Sequence, residues 1–209
     1  MEQRRIRILV VDDHQLLRVG LGASIGAESD MEIVAAASNG QEALELFRCH
    51  QPDITLMDLK MPVMGGVEAI QAIRGQLPSA KVIVLSTYQG DEDIYRALEA
   101  GATTYLLKDT LAEDLVRVIR EVFAGGRPLP VPVAQRLADR TLQPELTARE
   151  LDVLRLIAKG MRNKEIAARL GIGEETTQGH VKNILLKFGL HDRTEAVAVA
   201  VRRGIVHMD

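Results

Sequence analysis

The chain has a single cysteine, Cys49, in 209 residues. One thiol excludes an internal disulfide. The chain therefore reads as cytoplasmic, with Cys49 an inert thiol near a helix end. Long apolar runs are also missing. None approaches the roughly 20 residues that cross a bilayer, so no membrane partner is expected. The N-terminal Met1-Glu2-Gln3-Arg4-Arg5 leads into a strand-like run of only six residues, too short for a signal-peptide core. Internal repeats and low-complexity tracts are absent too. What is present is enough chain for two modest domains and an uneven distribution of charge. Residues 1–127 hold 13 Lys and Arg against 19 Asp and Glu, a net charge of −6, whereas residues 128–209 hold 13 against 10, a net charge of +3. An acidic half joined to a basic half implies different partners, and the basic half suits phosphate backbones.

The first half alternates apolar runs with amphipathic segments. Strands are expected at Ile6–Val11, Ile33–Ala37, Ile54–Met57, Val82–Leu85 and Thr104–Leu107. Helices are expected at His14–Ala27, Gly40–His50, Gly66–Gln76, Asp91–Ala100 and Ala112–Ala124. Continuous Val, Ile and Leu runs suit strands covered on both faces. Their alternation with helices predicts right-handed crossovers and a doubly wound, five-stranded parallel sheet, an α/β fold. Such a sheet places its site beyond the carboxyl ends of its strands. Asp12, Asp13, Asp58, Ser86 and Lys108 all fall at such ends.

This set has a definite chemistry. Three clustered carboxylates repel one another unless a cation joins them, and Mg²⁺ takes one or two carboxylates together with waters and phosphate oxygens. Asp13 and Asp58 fit direct ligation, Asp12 fits holding a metal-bound water, and a backbone carbonyl just after Asp58 can complete the set. The metal would let a phosphoryl group approach Asp58, which would serve as a carboxylate nucleophile. Lys108 would pair with the phosphoryl oxygens, and Ser86 would donate its hydroxyl to them. The plainer alternative is that each residue serves alone, as a helix cap or a solvated charge. The joint pattern, in chain order across strand ends, favours the phosphoacceptor.

From Gly125 to Pro144 the pattern breaks into a linker rich in Gly and Pro, with a short helix expected at Val133–Arg140. Everything after Pro144 reads as helix. Thr147-Ala148-Arg149-Glu150 fits a capping box. Gly160 ends the helix that follows, Asn163 is expected to cap a second helix through Leu170, and Gly171-Ile172-Gly173 makes a tight turn. A third helix is expected at Glu174–Phe188 and a fourth from near Thr194 to Gly204, giving a small all-α, four-helix domain. Its second and third helices form a helix-turn-helix that would place the third in a major groove. Thr177, Gln178, Lys182 and Asn183 are expected near the exposed face, with Lys164 and Lys187 as phosphate contacts. Val181, Ile184, Leu185 and Phe188 should pack inward.

Residues 5–127 resemble the receiver domain of two-component response regulators, through Val11-Asp12-Asp13-His14, Met57-Asp58-Leu59-Lys60-Met61-Pro62, Leu85-Ser86-Thr87 and Leu106-Leu107-Lys108-Asp109. Residues 146–196 resemble the LuxR-type helix-turn-helix, through Leu146-Thr147-Ala148-Arg149-Glu150, Asn163-Lys164-Glu165-Ile166-Ala167, His180-Val181 and Arg193-Thr194-Glu195-Ala196. Together they resemble the NarL/FixJ class of transcriptional regulators. The resemblance implies a flavodoxin-like receiver at 5–124, a linker at 125–144 and a DNA-binding domain at 145–209. It implies phosphorylation of Asp58 by a sensor histidine kinase or a small phosphodonor, with Mg²⁺ held by Asp12, Asp13, Asp58 and the Lys60 carbonyl. It makes Ser86 the switch hydroxyl and Tyr105 the switch aromatic. Its implied partners are the kinase, double-stranded DNA and a second copy of the chain, at least when phosphorylated, with RNA polymerase a further candidate. The chain departs from the pattern at several positions: Gly65-Gly66 replaces Asp-Gly, Asp109 stands where many receivers have proline, Gly173 replaces the common Ser or Thr cap, Thr177 replaces valine, and Gly179 stands where a groove-facing side chain is usual.

The expected protein is a regulator rather than an enzyme. A metal-dependent phosphatase using Asp58 is the enzymatic alternative, but Lys60 stands where its general acid would be needed. A constitutive DNA-binding protein with an inert first half is the third reading, and the intact acid set argues against it.

Overall fold

The computed structural model describes residues 4–87, 90–109 and 111–207. The expectations touching Met1, Glu2, Gln3, Tyr88, Gln89, Thr110, Met208 and Asp209 lie outside them. The chain folds as two compact units.

The first unit alternates strand and helix throughout: β1 (Ile6–Val11), α1 (Gln15–Gly26), β2 (Met31–Ala37), α2 (Gly40–His50), β3 (Ile54–Met57), α3 (Gly66–Gln76), β4 (Val82–Ser86), α4 (Asp91–Glu99), β5 (Thr104–Leu107) and α5 (Leu111–Phe123). All strand pairs are parallel, in the order β2-β1-β3-β4-β5. The chain winds one way from β1 to β2 and the other way from β3 onward, so the switch point lies between β1 and β3. β3, β4 and β5 are buried at every position, which explains their unbroken apolar runs. Ile8, Val10, Leu56, Ile83 and Leu106 from the sheet meet Leu115, Val118 and Ile119 of α5 and Leu21 and Ile25 of α1 in one core. β2 starts two residues earlier than expected, because Met31 is buried and pairs with Ile6 while Glu32 pairs with Arg7.

Helix α6 (Val131–Thr141) follows, within the stretch read as linker. The second unit carries α7 (Ala148–Ala158), α8 (Asn163–Leu170), α9 (Glu174–Phe188) and α10 (Arg193–Arg202). Val153, Leu154 and Ile157 of α7 pack with Ile166 of α8, Ile184 of α9 and Ala200 of α10. The capping box forms as expected: Thr147 N–H donates to Glu150 Oε2 (2.8 Å) and Glu150 N–H to Thr147 Oγ1 (3.3 Å). Gly171 sits at φ 64°, the left-handed conformation that glycine adopts freely, and reverses the chain between α8 and α9. Arg149 Nη2 donates to the Leu170 carbonyl at 2.7 Å, satisfying one of the acceptors left open at the end of α8. One cap differs from expectation. Arg162 precedes α8 and donates its N–H to Glu165 Oε2 at 2.6 Å, while Asn163 is already the first helical residue.

Glu150 ties this unit together beyond its cap. Its side chain is buried, and Lys187 Nζ donates to Oε2 at 2.7 Å. Burial alone would raise the Glu150 pKa, but the bonds from Lys187 and Thr147 outweigh it and hold the carboxyl below its usual value. A depressed folded-state value contributes stability above the unfolded pKa and loses it as pH falls through the folded one. Glu150→Gln should therefore cost about 1–3 kcal/mol at neutral pH, read as a lower melting temperature. The gap to wild type should close as the medium is acidified below the ordinary glutamate value of 4.5. A gap that stays constant with pH would exclude the ion pair as its cause.

Candidate functional site

The parallel register brings the ends of β1, β3, β4 and β5 to one edge. Asp58 N–H donates to Val11 O (2.8 Å), which fixes the residue after β3 beside the end of β1. Lys108 N–H donates to Ser86 O (2.9 Å), which fixes the residue after β5 beside the end of β4. Across these four strand ends Lys108 Nζ reaches Asp58 Oδ2 at 2.8 Å and Asp12 Oδ2 at 2.7 Å. Asp12 is 1% and Asp58 4% exposed, so both charges sit in a poorly solvated place. Asp13 is exposed and lies at the rim. Asp12, Asp13, Asp58 and also His14 each offer a ligand atom, all within 4.8 Å of one another. A pocket of about 490 Å³ opens over Asp13, His14 and Asp58, further lined by Lys60, Met61, Pro62, Thr87 and Lys108.

The loop after Asp58 is held close. Leu59 N–H donates to Asp58 Oδ1 (2.8 Å), and Gly66 N–H, at the start of α3, donates to Leu59 O (2.8 Å). A side chain at Gly66 would run into the Asp58 carbonyl and, at 2.8 Å, Leu59 Cα. Only glycine lets α3 begin this near the phosphoacceptor candidate.

The charges explain the titration behaviour. Burial pushes the Asp58 carboxyl above its ordinary value, and the Lys108 contact offsets only part of that rise. Burial alone would pull Lys108 down, but hydrogen bonds and attraction from Asp12 and Asp58 hold its ammonium above the usual lysine value. Three carboxylates against one ammonium leave a surplus of negative charge. Asp12 Oδ2 is buried and, among the described residues, meets only Lys108 Nζ, at 2.7 Å. A buried carboxylate oxygen with unused lone pairs, beside two more oxygen donors, fits a hard divalent cation such as Mg²⁺.

Ser86 ends β4 and is fully buried, so its hydroxyl lies within the fold at the level of Lys108. Tyr105 lies within β5 and is also fully buried. His14, which is not among the expected site residues, joins the acids: its Nδ1 lies 2.8 Å from Asp13 Oδ1 and 3.3 Å from Asp12 Oδ1. Its place directly after the acid pair was the available signal.

In the second unit, Gln178, Lys182 and Asn183 are exposed along α9, and Lys164 is exposed at the start of α8. Two expectations are corrected. Thr177 is fully buried, with its hydroxyl donating to Gly173 O at 3.2 Å, because it shares a helical face with Val181 and Ile184. Lys187 lies on another face, where its ammonium donates to Glu150 Oε2 and to Glu145 O (2.9 Å), so it is held inside the unit.

The two units match two families: the response regulator receiver domain over residues 8–120 and the LuxR family of bacterial regulatory proteins over residues 144–200. The chain belongs to the two-component response regulators with a LuxR-type DNA-binding domain, which regulate transcription. It is 37% identical over 206 residues to the response regulator VraR of Staphylococcus saprophyticus, covering 96% of this chain and 99% of that protein. It is 38% identical over 216 residues to the transcriptional regulatory protein LnrK of Bacillus subtilis, covering 96% and 98%. Among solved structures, the response regulator ChrA of a heme-sensing two-component system matches at 32% identity and TM-score 0.59, covering 97% of this chain and 99% of that one. A DNA-bound RcsB shares the fold at 22% identity and TM-score 0.70, covering 95% and 99%.

Mg²⁺ should raise the melting temperature of the wild-type protein by relieving repulsion among the three acids. The gain should vanish in Asp13→Asn. An equal gain in both would place the ion elsewhere. Gly66→Ala should cost about 2 kcal/mol or more in a denaturant titration, through its overlap with the Asp58 backbone. A neutral result would mean that the loop yields freely.

Proposed function

We propose that Asp58 accepts a phosphoryl group from a sensor histidine kinase or a small phosphodonor, and that this controls dimerisation and sequence-specific DNA binding. The observation that carries the reading is the convergence of Asp12, Asp13, Asp58 and Lys108 at one sheet edge. A bound Mg²⁺ would neutralise charge on the transferring group. Asp13, Asp58 and the Lys60 carbonyl would hold it, with Asp12 acting through a water. An Asp58 carboxylate oxygen attacks phosphorus in line, the donor's bond to phosphorus breaks with its electron pair, and an acyl phosphate forms. Lys108, now shared between Asp12 and Asp58, moves its charge onto a phosphoryl oxygen. Ser86 donates its hydroxyl to another, drawing the end of β4 toward the site. Tyr105, two strand positions back from Leu107, rearranges with it. The raised pKa of Asp58 matters little once a cation is beside it, because an adjacent positive charge restores the carboxylate.

In the second unit α9 enters the major groove of double-stranded DNA. Gln178, Lys182 and Asn183 face base edges there and Lys164 faces a phosphate. A single short helix reads one half-site weakly, so a dimer on two half-sites supplies the affinity. RNA polymerase is the next partner in this reading. A regulator that meets both a kinase and DNA works in the cytoplasm. No described helix is long and apolar enough to cross a membrane.

Incubation with acetyl phosphate and Mg²⁺ should add one phosphoryl group to the wild-type chain and none to Asp58→Asn, read by intact mass. Labelling that persists in the variant would move the phosphoacceptor elsewhere. In gel shifts the treated wild type should bind its duplex more tightly than Asp58→Asn, and equal affinities would remove the switch.

A further inference from the structure

Leu186 is the one large apolar side chain fully turned outward on α9, at 78% exposure. The hydrophobic core of the unit is built from the other side of the helix, through Val181, Ile184 and Phe188, so packing does not explain a leucine here. At 100° per residue, Leu186 lies two turns after Gly179 and nearly in line with it, and one turn after Lys182. The same arc carries Gln178 and Asn183, so Leu186 is continuous with the face assigned to DNA. Gly179 leaves that line bare: a Cβ built there meets nothing within 4 Å. A helix with a gap mid-stripe can sit lower on the groove floor, which brings Leu186 nearer to base edges.

The base edges of the major groove offer one apolar group, the 5-methyl of thymine. The surroundings of Leu186 are charged and polar, with Lys182 exposed one turn away. This composition suits a polyanion more than an apolar protein partner. We propose that Leu186 reads a thymine through its 5-methyl group and is a specificity-determining residue of this regulator. The inference rests on the DNA-binding reading given above.

Removing the methyl without altering base pairing tests it. Full-length protein treated with acetyl phosphate selects its site from a random duplex pool. Each thymine of that site is then replaced in turn by deoxyuridine, and affinities are compared in competition gel shifts. For wild type, one thymine per half-site should lose about fourfold on replacement, the worth of one buried methyl at about 0.8 kcal/mol. Leu186→Ala should be indifferent at that same position, while Lys182→Ala should bind more weakly but keep the sensitivity. If wild type and Leu186→Ala respond alike to deoxyuridine at every position, the methyl reading is wrong and DNA binding stands. If no duplex is selected at all, the DNA-binding reading falls as well. If Leu186→Ala leaves DNA affinity unchanged but dissociates a dimer in sedimentation without DNA, the occupant is a second copy of the chain and the inference fails.

Discussion

The lysine that bridges two buried aspartates governs the first unit. Lys108 stands one residue past β5, Asp58 one past β3 and Asp12 one past β1, and only a parallel sheet with this strand order brings those ends together. Buried carboxylates at such separations are costly unless compensated, and one ammonium compensates only part of the charge. The arrangement is therefore under electrostatic tension in the direction of taking up a cation. In the proposed function, a phosphoryl group arriving with a metal would replace an imperfect pairing by a more complete one, and Lys108 would change partners. The proposed signal would run through that change of partners, with Ser86 at the end of β4 and Tyr105 within β5.

The second unit is organised on a similar principle for a different end. Glu150 is a buried acid whose carboxylate accepts from the Thr147 backbone N–H and from Lys187, while its own backbone N–H donates to the Thr147 hydroxyl. It locks the start of α7 to the end of α9. That lock uses up Lys187, which is why a residue that looks like a phosphate ligand is absent from the outer face. The outer face keeps Gln178, Lys182, Asn183 and Leu186 clear of the interior, on a helix whose buried side is anchored by Thr177 and Ile184.

Much of this was legible in the chain. Strands β1, β3 and β5 and helices α2 and α3 fall at their expected bounds, because apolar runs, Gly66 and Asn39, whose side chain accepts from Glu42 N–H at the start of α2, leave little freedom. The acid set and Lys108 were legible because strand ends in a parallel sheet have a common address. What was not legible depended on partners distant in sequence. Lys187 cannot be read as internal without knowing that Glu150 lies beside it. Thr177 misled through its hydroxyl: its spacing of four and seven residues to Val181 and Ile184 marked it as inward, and the family's valine there said the same. Asn163 has a common cap residue type, yet Glu165 reaches the backbone of Arg162 and fixes the helix start one residue sooner. His14 was visible in the motif, but its closeness to Asp13 is a matter of side-chain geometry.

The proposed function requires the carboxylates at the β1 and β3 ends to form a single divalent-cation site. Anomalous diffraction from crystals of the protein grown with Mn²⁺ measures this directly. The account predicts one strong peak in contact with the carboxylates of Asp13 and Asp58 and the Lys60 carbonyl, with Lys108 displaced from Asp58. An absent peak at saturating metal, or one seated away from these residues, would contradict it.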